Sequence, residues 1–373
     1  MQSNSQKKNQ IKDGLAIRGN WNKLQRLFDR AKNGDDILLG FIGGSITQGS
    51  LATKEEFQYV NRVVAWWRQQ FPKATITHVN AGIGGTSSHY GVARVEKDLL
   101  IYNPDIVFVD FTVNDKDTPF CQETFEGLLR KIIKSNENVP TVILNNIYYC
   151  DGYSAEKVHN QLGAYYDIPC ISAKQGIYPL IAEGIYEEAD ITSDGLHPND
   201  FGHELLAKIL TTFFTQVLEE PVRDDLIAFP LTALTDNCYE ESILYQRDNI
   251  DATYDGFTID TRKKDGLLDL YKDGFFASLA GDSMKVNVTG SCIAVQYLKS
   301  VRHPVPIATA IIDGDVHASI KLDGNFDEDW GDCLYLEPIL HHGIYGAHEL
   351  EIRIKESSKY DVGPFYVVGI IVS

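Results

Sequence analysis

The chain has 373 residues, of which 43% are hydrophobic and 23% charged, and its formal net charge is -18. This length and composition are typical of a globular protein of about two domains and exclude a largely disordered chain. The acidic balance opposes binding to nucleic acid or anionic lipid, since both attract clusters of Lys and Arg. We therefore expect neither a nucleic acid nor a membrane as a partner, while the oligomeric state stays open.

Residues 1–12, MQSNSQKKNQIK, are polar and lack the apolar core of a signal peptide. No stretch of the sequence approaches the ~20 apolar residues that a membrane-spanning helix needs. The cysteines are scattered without the close pairs of a disulfide framework or a zinc knuckle, at positions 121, 150, 170, 238, 292 and 333. Together these features predict a cytoplasmic protein with free, mostly buried thiols.

Between residue 36 and about residue 218, short apolar runs alternate with helical patterns. The runs are DILLGFIGG, ATITHVNAG, DIVFVDF and TVILNNI. Apolar residues then recur with helical spacing at Val60, Val63, Val64 and Trp67, at Val92, Val95 and Leu99, and at Phe125, Leu128, Leu129 and Ile132. Because the runs are apolar on both faces, they predict a parallel sheet covered by helices on both sides, an α/β domain of three layers over residues 1–220.

The pattern changes after Glu219, Glu220 and Pro221, and residues 221–255 are predicted to be an irregular linker. Short alternating runs follow, separated by Gly, Asp and Asn turns: KVNVTG, CIAVQYL, ATAIIDG, ASIKLDG, HELEIRI and FYVVGIIV. This spacing predicts a β-sandwich domain over residues 256–373.

The first apolar run leads into GGSIT, which places Ser45 at the carboxyl end of a strand, where open α/β sheets bind ligands. A serine hydroxyl needs a partner base to act as a nucleophile at neutral pH. The segment DGLHP offers this base, because one turn can bring the Asp194 carboxylate to one ring nitrogen of His197. The other ring nitrogen would then face Ser45, which predicts a Ser-His-Asp triad.

Two further segments follow strands and offer hydrogen-bond donors. NAGIGG ends the second run and can point the Gly85 N–H into the site, while TVND ends the third run and presents the side-chain amide of Asn114. With the N–H of Ser45, these groups make three candidate donors to the oxyanion of a tetrahedral intermediate.

The four segments resemble the four blocks of the SGNH, or GDSL, hydrolases, which carry Ser, Gly, Asn and His in this order. The resemblance covers residues 36 to about 218 and implies a flavodoxin-like α/β/α hydrolase domain. Two positions depart from the family pattern, since Gly44 replaces the usual Asp of GDS and Thr112 the usual Gly of GxND. Neither change removes a catalytic group, and both indicate a divergent branch of the family.

An SGNH domain followed by a jelly-roll sandwich akin to carbohydrate-binding family 35 resembles carbohydrate esterase family 17. That family removes 2-O-acetyl groups from mannose units of mannan-derived oligosaccharides. The resemblance implies an acetylated oligosaccharide as substrate and no metal or organic cofactor. Two alternatives stay open: a lipase or thioesterase on the same scaffold, and a carbohydrate-binding protein with an inactive hydrolase domain.

Some of these residues have other interpretations. GFIGGS could be a phosphate loop, but no Lys follows it and the glycine spacing matches neither nucleotide motif. A metal cluster could be formed by Asp194, His197, Asp200 and His203, since carboxylate and imidazole groups are common ligands.

Trp330 lies in the acidic segment NFDEDWGD, residues 325–332, which is typical of a loop. We expect its indole to be exposed and to stack on a sugar of the substrate. The alternative is a tryptophan that covers one end of the sandwich core.

Overall fold

The computed structural model describes residues 9–221 and 229–373, and the chain divides into two compact units, Met1–Asn237 and Cys238–Ser373. Most of the polar segment 1–12 and residues 222–228 of the predicted linker lie outside the described residues. No helix in the described ranges is both long and apolar enough to cross a membrane.

The strands described in the first unit are β1 (Leu15–Ile17), β2 (Ile37–Gly43), β3 (Ile76–Gly82), β4 (Ile106–Asp110), β5 (Thr141–Asn145) and β6 (Cys170–Ser172). The α-helices are α1 (Asn22–Asn33), α2 (Ser45–Gln48), α3 (Tyr59–Gln70), α4 (Ser88–Asp98), α5 (Pro119–Ser135), α6 (Glu156–Tyr165), α7 (Ala173–Gly176), α8 (Tyr178–Ala182), α9 (Glu188–Ile191) and α10 (Asp200–Glu219).

These strands form one sheet in the order β1-β6-β5-β4-β2-β3, in which β2 to β6 are parallel and β1 is antiparallel to β6. The four predicted runs are β2 to β5, and the predicted α/β class is confirmed. Because β2 lies between β3 and β4, the strand order reverses there. Ligands bind at such a switch point, beyond the carboxyl ends of the strands.

Aromatic residues join the helices α1, α3 and α10 on one face of this sheet. The Trp67 ring lies 5.1 Å from that of Phe28 and 5.8 Å from that of Phe214, between ring centroids. All three side chains are fully buried. Burial of each contributes about 1.5–3 kcal/mol, so the helices are held firmly to one another and, through the contact of Phe214 with Phe108 of β4, to the sheet whose strand ends carry the candidate site.

The second unit is antiparallel. Its strands are β7 (Ile243–Tyr245), β8 (Ala252–Asp255), β9 (Thr258–Ile259), β10 (Phe275–Ala277), β11 (Ser283–Gly290), β12 (Ile293–Lys299), β13 (Ile307–Ile312), β14 (Ile320–Asp323), β15 (Cys333–Leu340), β16 (Gly346–Glu356) and β17 (Phe365–Val372). One sheet has the order β15-β12-β17-β10-β9, with β7 also paired to β17, and the other has the order β14-β13-β16-β11-β8.

Alternate residues of the two sheets point inward and form the core of the predicted sandwich, as Met284 and Val286 of β11 and Val295 of β12 do. The sandwich itself is confirmed. The strands β7 and β8, however, lie inside the segment 221–255 that the sequence pattern assigned to an irregular linker. These short strands are largely exposed, so they carry no alternation of apolar and polar residues that the sequence could reveal.

Candidate active site

Ser45 is the first residue of α2, two positions after the end of β2, and it is 8% exposed. Hydrogen bonds hold the turn around it. The side-chain amide of Asn80 donates to the Thr47 carbonyl at 2.8 Å, and Arg94 donates to the Gly43 carbonyl at 3.2 Å. The hydroxyl therefore sits in a rigid turn at the switch point of the sheet.

The structure brings the three predicted triad residues together. Nε2 of His197 lies 2.8 Å from Oγ of Ser45, and Nδ1 of His197 lies 2.7 Å from Oδ2 of Asp194. Gly195 lies between Asp194 and His197 and has a φ of 79°, a left-handed conformation that residues other than glycine rarely adopt. This glycine lets the DGLHP segment turn back, so that its carboxylate and its imidazole meet.

The second carboxylate oxygen of Asp194 is also engaged. Oδ1 accepts from the backbone N–H groups of Leu196 at 3.0 Å and His197 at 2.8 Å, and from the Thr192 hydroxyl at 3.0 Å. Burial acts to raise the pKa of Asp194, but the hydrogen bonds from His197 and these N–H groups outweigh it and hold the pKa at about 2. Asp194 is therefore charged at neutral pH and accepts a hydrogen bond from the N–H at Nδ1 of His197. The other ring nitrogen, Nε2, then carries no hydrogen and is free to accept a proton from Ser45.

The two predicted donor segments adjoin the same turn. Gly84, next to Gly85, donates its N–H to the side-chain oxygen of Gln48 at 2.7 Å, which ties this segment to α2. Asn114 lies against Gly44, since a Cβ atom added there would stand 2.2 Å from Oδ1 of Asn114. Glycine in place of the family's Asp therefore allows the Asn114 amide to approach the backbone beside Ser45.

Thr112, the second departure from the family pattern, has a structural explanation. Its hydroxyl donates to the Asn146 carbonyl at 3.0 Å, and its own carbonyl accepts from the Ala155 N–H at 2.8 Å. The side chain is fully buried. Thr112 therefore connects the Asn114 turn to the chain that follows β5.

Asp110, the last residue of β4, contacts the turn that carries Ser45, and no sequence pattern pointed to it. Its Oδ2 accepts from the Thr47 hydroxyl at 3.0 Å and from the Asn146 amide at 2.8 Å. Burial raises the pKa of Asp110 to about 7, although these two hydrogen bonds act to lower it. A polar residue at the end of an apolar run is only a weak indication of a functional position, and nothing in the sequence indicates that Asp110 is buried away from solvent.

Two members of the candidate metal cluster have other partners. Nδ1 of His203 accepts from the Tyr59 N–H at 3.2 Å, and Nε2 lies 3.1 Å from the Ser50 carbonyl. Both carboxylate oxygens of Asp200 accept from Thr53, each at 2.7 Å. Burial lowers the pKa of His203 to about 4, more than its bond to Ser50 raises it. These contacts explain both residues as structural and leave the metal interpretation without a ligand set.

Trp330, in the second unit, is 58% exposed and lies outside the sandwich core. Its ring meets that of Phe326 edge to face, with 5.0 Å between centroids. No helix or strand includes residues 326–332, as the sequence indicated for this segment. An exposed indole supported by a second aromatic ring is a suitable surface for a ligand.

The chain is similar to several known proteins. A crystal structure of a two-domain esterase (CEX) active on acetylated mannans is 43% identical and has a TM-score of 0.95, with 98% of this chain and 99% of that chain covered. A crystal structure of the same description, co-crystallized with mannopentaose, is also 43% identical, with a TM-score of 0.94 and 98% of each chain covered. The model of the GDSL-like Lipase/Acylhydrolase family matches residues 41–205. The chain belongs to the SGNH hydrolases.

A curated protein is also similar to part of this chain. The acetylxylan esterase of Geobacillus stearothermophilus is 27% identical over 205 residues, which are 48% of this chain and 93% of that protein. The SGNH hydrolase described here is thus a serine ester hydrolase with a second, sandwich unit. The full-length likeness to a two-domain mannan esterase agrees with the resemblance to carbohydrate esterase family 17.

Proposed function

We propose that this SGNH hydrolase is a carbohydrate O-acetylesterase that removes acetyl groups from manno-oligosaccharides through an acetyl-enzyme on Ser45. The observation that carries the proposal is the unbroken pair of hydrogen bonds from Ser45 through His197 to Asp194. The substrate class is supported by the likeness, over both units of the chain, to an esterase active on acetylated mannans.

In the first half of the reaction, Oγ of Ser45 attacks the acetyl carbonyl carbon while its proton passes to Nε2 of His197. The charged carboxylate of Asp194 stabilises the imidazolium that forms. The bond between the acetyl carbon and the sugar oxygen then breaks, and the sugar oxygen takes the proton from Nε2. The products of this half are the free sugar hydroxyl and an acetyl ester on Ser45.

In the second half, a water molecule takes the place of the sugar and gives a proton to Nε2 of His197 as its oxygen attacks the acetyl carbon. Collapse of this intermediate returns the proton to Oγ of Ser45 and releases acetic acid, which loses its own proton to water and becomes acetate. In both halves, the backbone N–H groups of Ser45 and Gly85 and the side-chain amide of Asn114 donate to the oxyanion. Such donors accelerate the reaction because they are in place before the charge develops.

The C–H face of a sugar ring binds to a flat apolar surface, and the exposed indole of Trp330 provides such a surface in the second unit. Stacking between an indole and the C–H face of a sugar is worth on the order of 1 kcal/mol, by analogy with other aromatic contacts. We include Trp330 in the proposed function as a residue that binds the oligosaccharide and takes no part in ester cleavage.

The proposal is tested by incubating the enzyme with acetylated manno-oligosaccharides and following free acetate together with the loss of acetyl groups by mass spectrometry. Ser45→Ala is the matched control, because a single hydroxyl in a turn adds little to stability. We expect acetate release by the native enzyme and almost none by Ser45→Ala. A protein mass increase of one acetyl group, found with the native enzyme only, would identify the acetyl-enzyme.

Two parallel substrate series separate the alternatives. Acetylated xylo-oligosaccharides test the sugar, and nitrophenyl esters of rising acyl length test the acyl group. Preference for long acyl chains would favour a lipase or thioesterase. Binding of the glycan without any acetate release would favour a carbohydrate-binding protein with an inactive hydrolase domain.

A further inference from the structure

A second Asp-His pair lies directly behind the candidate oxyanion donors. Asp115 follows Asn114 in the chain, and its Oδ2 lies 3.0 Å from Nε2 of His159 in α6. Both side chains are fully buried. Burying a carboxylate away from water costs several kcal/mol unless hydrogen bonds offset the cost. The contacts of Asp115 therefore have to supply this compensation.

The other oxygen of Asp115 reaches the segment that carries Gly85. Oδ1 accepts from the backbone N–H of Ser88 at 2.9 Å, and Ser88 is the first residue of α4. The residue before it, Ser87, makes no side-chain cap to this helix. Asp115 therefore caps α4 from a different loop, where a negative charge is favoured by the helix dipole. Since Ser88 lies three residues after Gly85, this contact restrains the position of the Gly85 N–H.

The same carboxylate restrains Asn114. The N–H groups of Asn114 and Asp115 both donate to the carbonyl of Phe111, at 3.0 and 2.8 Å, so the two residues belong to one tight turn. With the Asp115 side chain held at both oxygens, this turn has little freedom to rotate. The Asn114 amide is thereby kept at the position where it adjoins Gly44.

His159 provides the fixed end of this arrangement. Its ring is stacked on that of Phe125 in α5, with 3.5 Å between centroids and 4° between planes. Its helix is joined to the Asn114 segment by the bond from the Ala155 N–H to the Thr112 carbonyl. The ring therefore cannot move without disturbing two helices and the strand-end loop together.

We propose that Asp115, held by His159, is a positioning residue that keeps the Gly85 and Asn114 donors at a fixed separation. The proposal rests on the proposed function, because it assumes that these two groups bind the oxyanion. Neither Asp115 nor His159 exchanges a proton with the substrate in this scheme. Their effect is to prevent the two donor segments from drifting apart, and such drift lowers transition-state stabilisation before it affects substrate binding.

The first test compares Asp115→Ala with Asp115→Asn. Alanine removes both contacts, whereas asparagine retains an oxygen for the Ser88 N–H. We expect Asp115→Ala to lower kcat/KM for acetyl esters about 10- to 100-fold, a part of the loss that removal of a whole oxyanion donor causes. Asp115→Asn should lose less. Because alanine at this site can impair folding, the asparagine variant also keeps the test valid if Asp115→Ala is not recovered.

The second test varies His159. His159→Gln retains a donor for Asp115, and His159→Leu fills similar space without one. We expect kcat/KM to fall about 10-fold or more in His159→Leu and to recover substantially in His159→Gln, which a purely space-filling role would not produce. Asn160→Ala is the matched control on the same helix, since Asn160 accepts from Asn145 at 2.7 Å and does not contact Asp115. It should lower the melting temperature without a comparable loss of kcat/KM.

Ground-state binding is the decisive readout. Each substitution is combined with Ser45→Ala, and the affinity for an acetylated manno-oligosaccharide is measured by calorimetry. We expect affinities within about threefold of Ser45→Ala alone, because the oxyanion donors act mainly in the transition state. Equal losses in affinity and in kcat/KM, or losses in kcat/KM that match those of Asn160→Ala at equal melting temperature, would overturn the positioning role. Failure of the proposed function is separate, because it appears as acetate release that survives Ser45→Ala or as no acetate release by the native enzyme.

Discussion

Two Asp-His pairs in the same unit differ in the features that separate a proposed catalytic base from a structural histidine. In the pair Asp194 and His197, the side chains are 44% and 23% exposed, and the second ring nitrogen meets the Ser45 hydroxyl. In the pair Asp115 and His159, both side chains are sealed from solvent, and the second ring nitrogen is buried without a hydrogen-bond partner among residues 9–221 and 229–373. The Asp-His contact is common to both pairs. They differ in the access of solvent and in the presence of a serine hydroxyl at the second ring nitrogen, and these two features favour His197 as the base.

The origin of the two pairs in the chain also differs. Asp194 and His197 are three residues apart and are joined by local turn geometry, with the Asp194 carboxylate bonded to the His197 N–H as well as to its ring. Asp115 and His159 are 44 residues apart and meet only because α6 packs against α5, the helix that follows the Asp115 turn, and against β5. The local pair can therefore be read from a motif, whereas the distant pair depends on the packing of the sheet and its helices.

The largest expected effect is on the exposed pair. His197→Ala removes the base that the proposed mechanism assigns to Ser45, so turnover of acetyl esters should fall by about four to six orders of magnitude. Initial rates of acetate release, with a melting curve as the control for folding, measure this effect. If His197→Ala were no more harmful than His159→Leu, the distinction drawn between the two pairs would be wrong.

Asp194→Ala should be less damaging than His197→Ala. The imidazole would retain its contact with Ser45 but lose the group that orients it and stabilises its charged form, and we expect a loss of about two to four orders of magnitude. The same rate assay applies. The melting temperature should also be followed, because Oδ1 of Asp194 holds the loop through the N–H groups of Leu196 and His197. A loss as great as that of His197→Ala would indicate that no other group can orient the ring.

Trp330→Ala sharpens the comparison by separating sugar recognition from ester chemistry. We expect kcat/KM on acetylated manno-oligosaccharides to fall several-fold to about a hundredfold, because the stacking surface is lost. Hydrolysis of nitrophenyl acetate, which has no sugar to stack, should be almost unchanged. Because Trp330 is exposed, the melting temperature should also stay the same, and a fall in both activities with a lower melting temperature would assign the residue to the core.

The smallest effect concerns stability and pH, through the buried Asp110. Its folded-state pKa of about 7 lies above the ordinary value, so folding favours its protonated form. The stability that this carboxyl contributes is fully present below its unfolded pKa of about 3.9 and is lost as the pH rises through about 7. Asp110→Asn, which is neutral at every pH, should therefore remove part of the decline in melting temperature between about pH 4 and pH 8. Parallel pH dependences for the two proteins would contradict the raised pKa.

The second unit shows why some strands could be predicted and others could not. Strands such as β11 alternate between the core and solvent, and this alternation is visible in KVNVTG. By contrast, β15 is mostly half-exposed and contains Pro338, and β7 and β8 bury little of their surface. They exist because neighbouring strands offer backbone partners, and backbone pairing leaves little trace in the side-chain pattern.

The sequence by itself determined the strands β2 to β5, the helices α3, α4 and α5, the two-unit organisation and the four segments that meet around Ser45. It could do so because strand ends in a parallel α/β sheet converge at one edge, whatever the details of packing. Only the tertiary structure decided that Gly44 makes room for Asn114, that Asp110 is buried beneath the Ser45 turn, and that Asp115 caps α4. Each of these facts depends on which side chains come into contact across elements far apart in the chain, and local patterns of polarity do not contain that information.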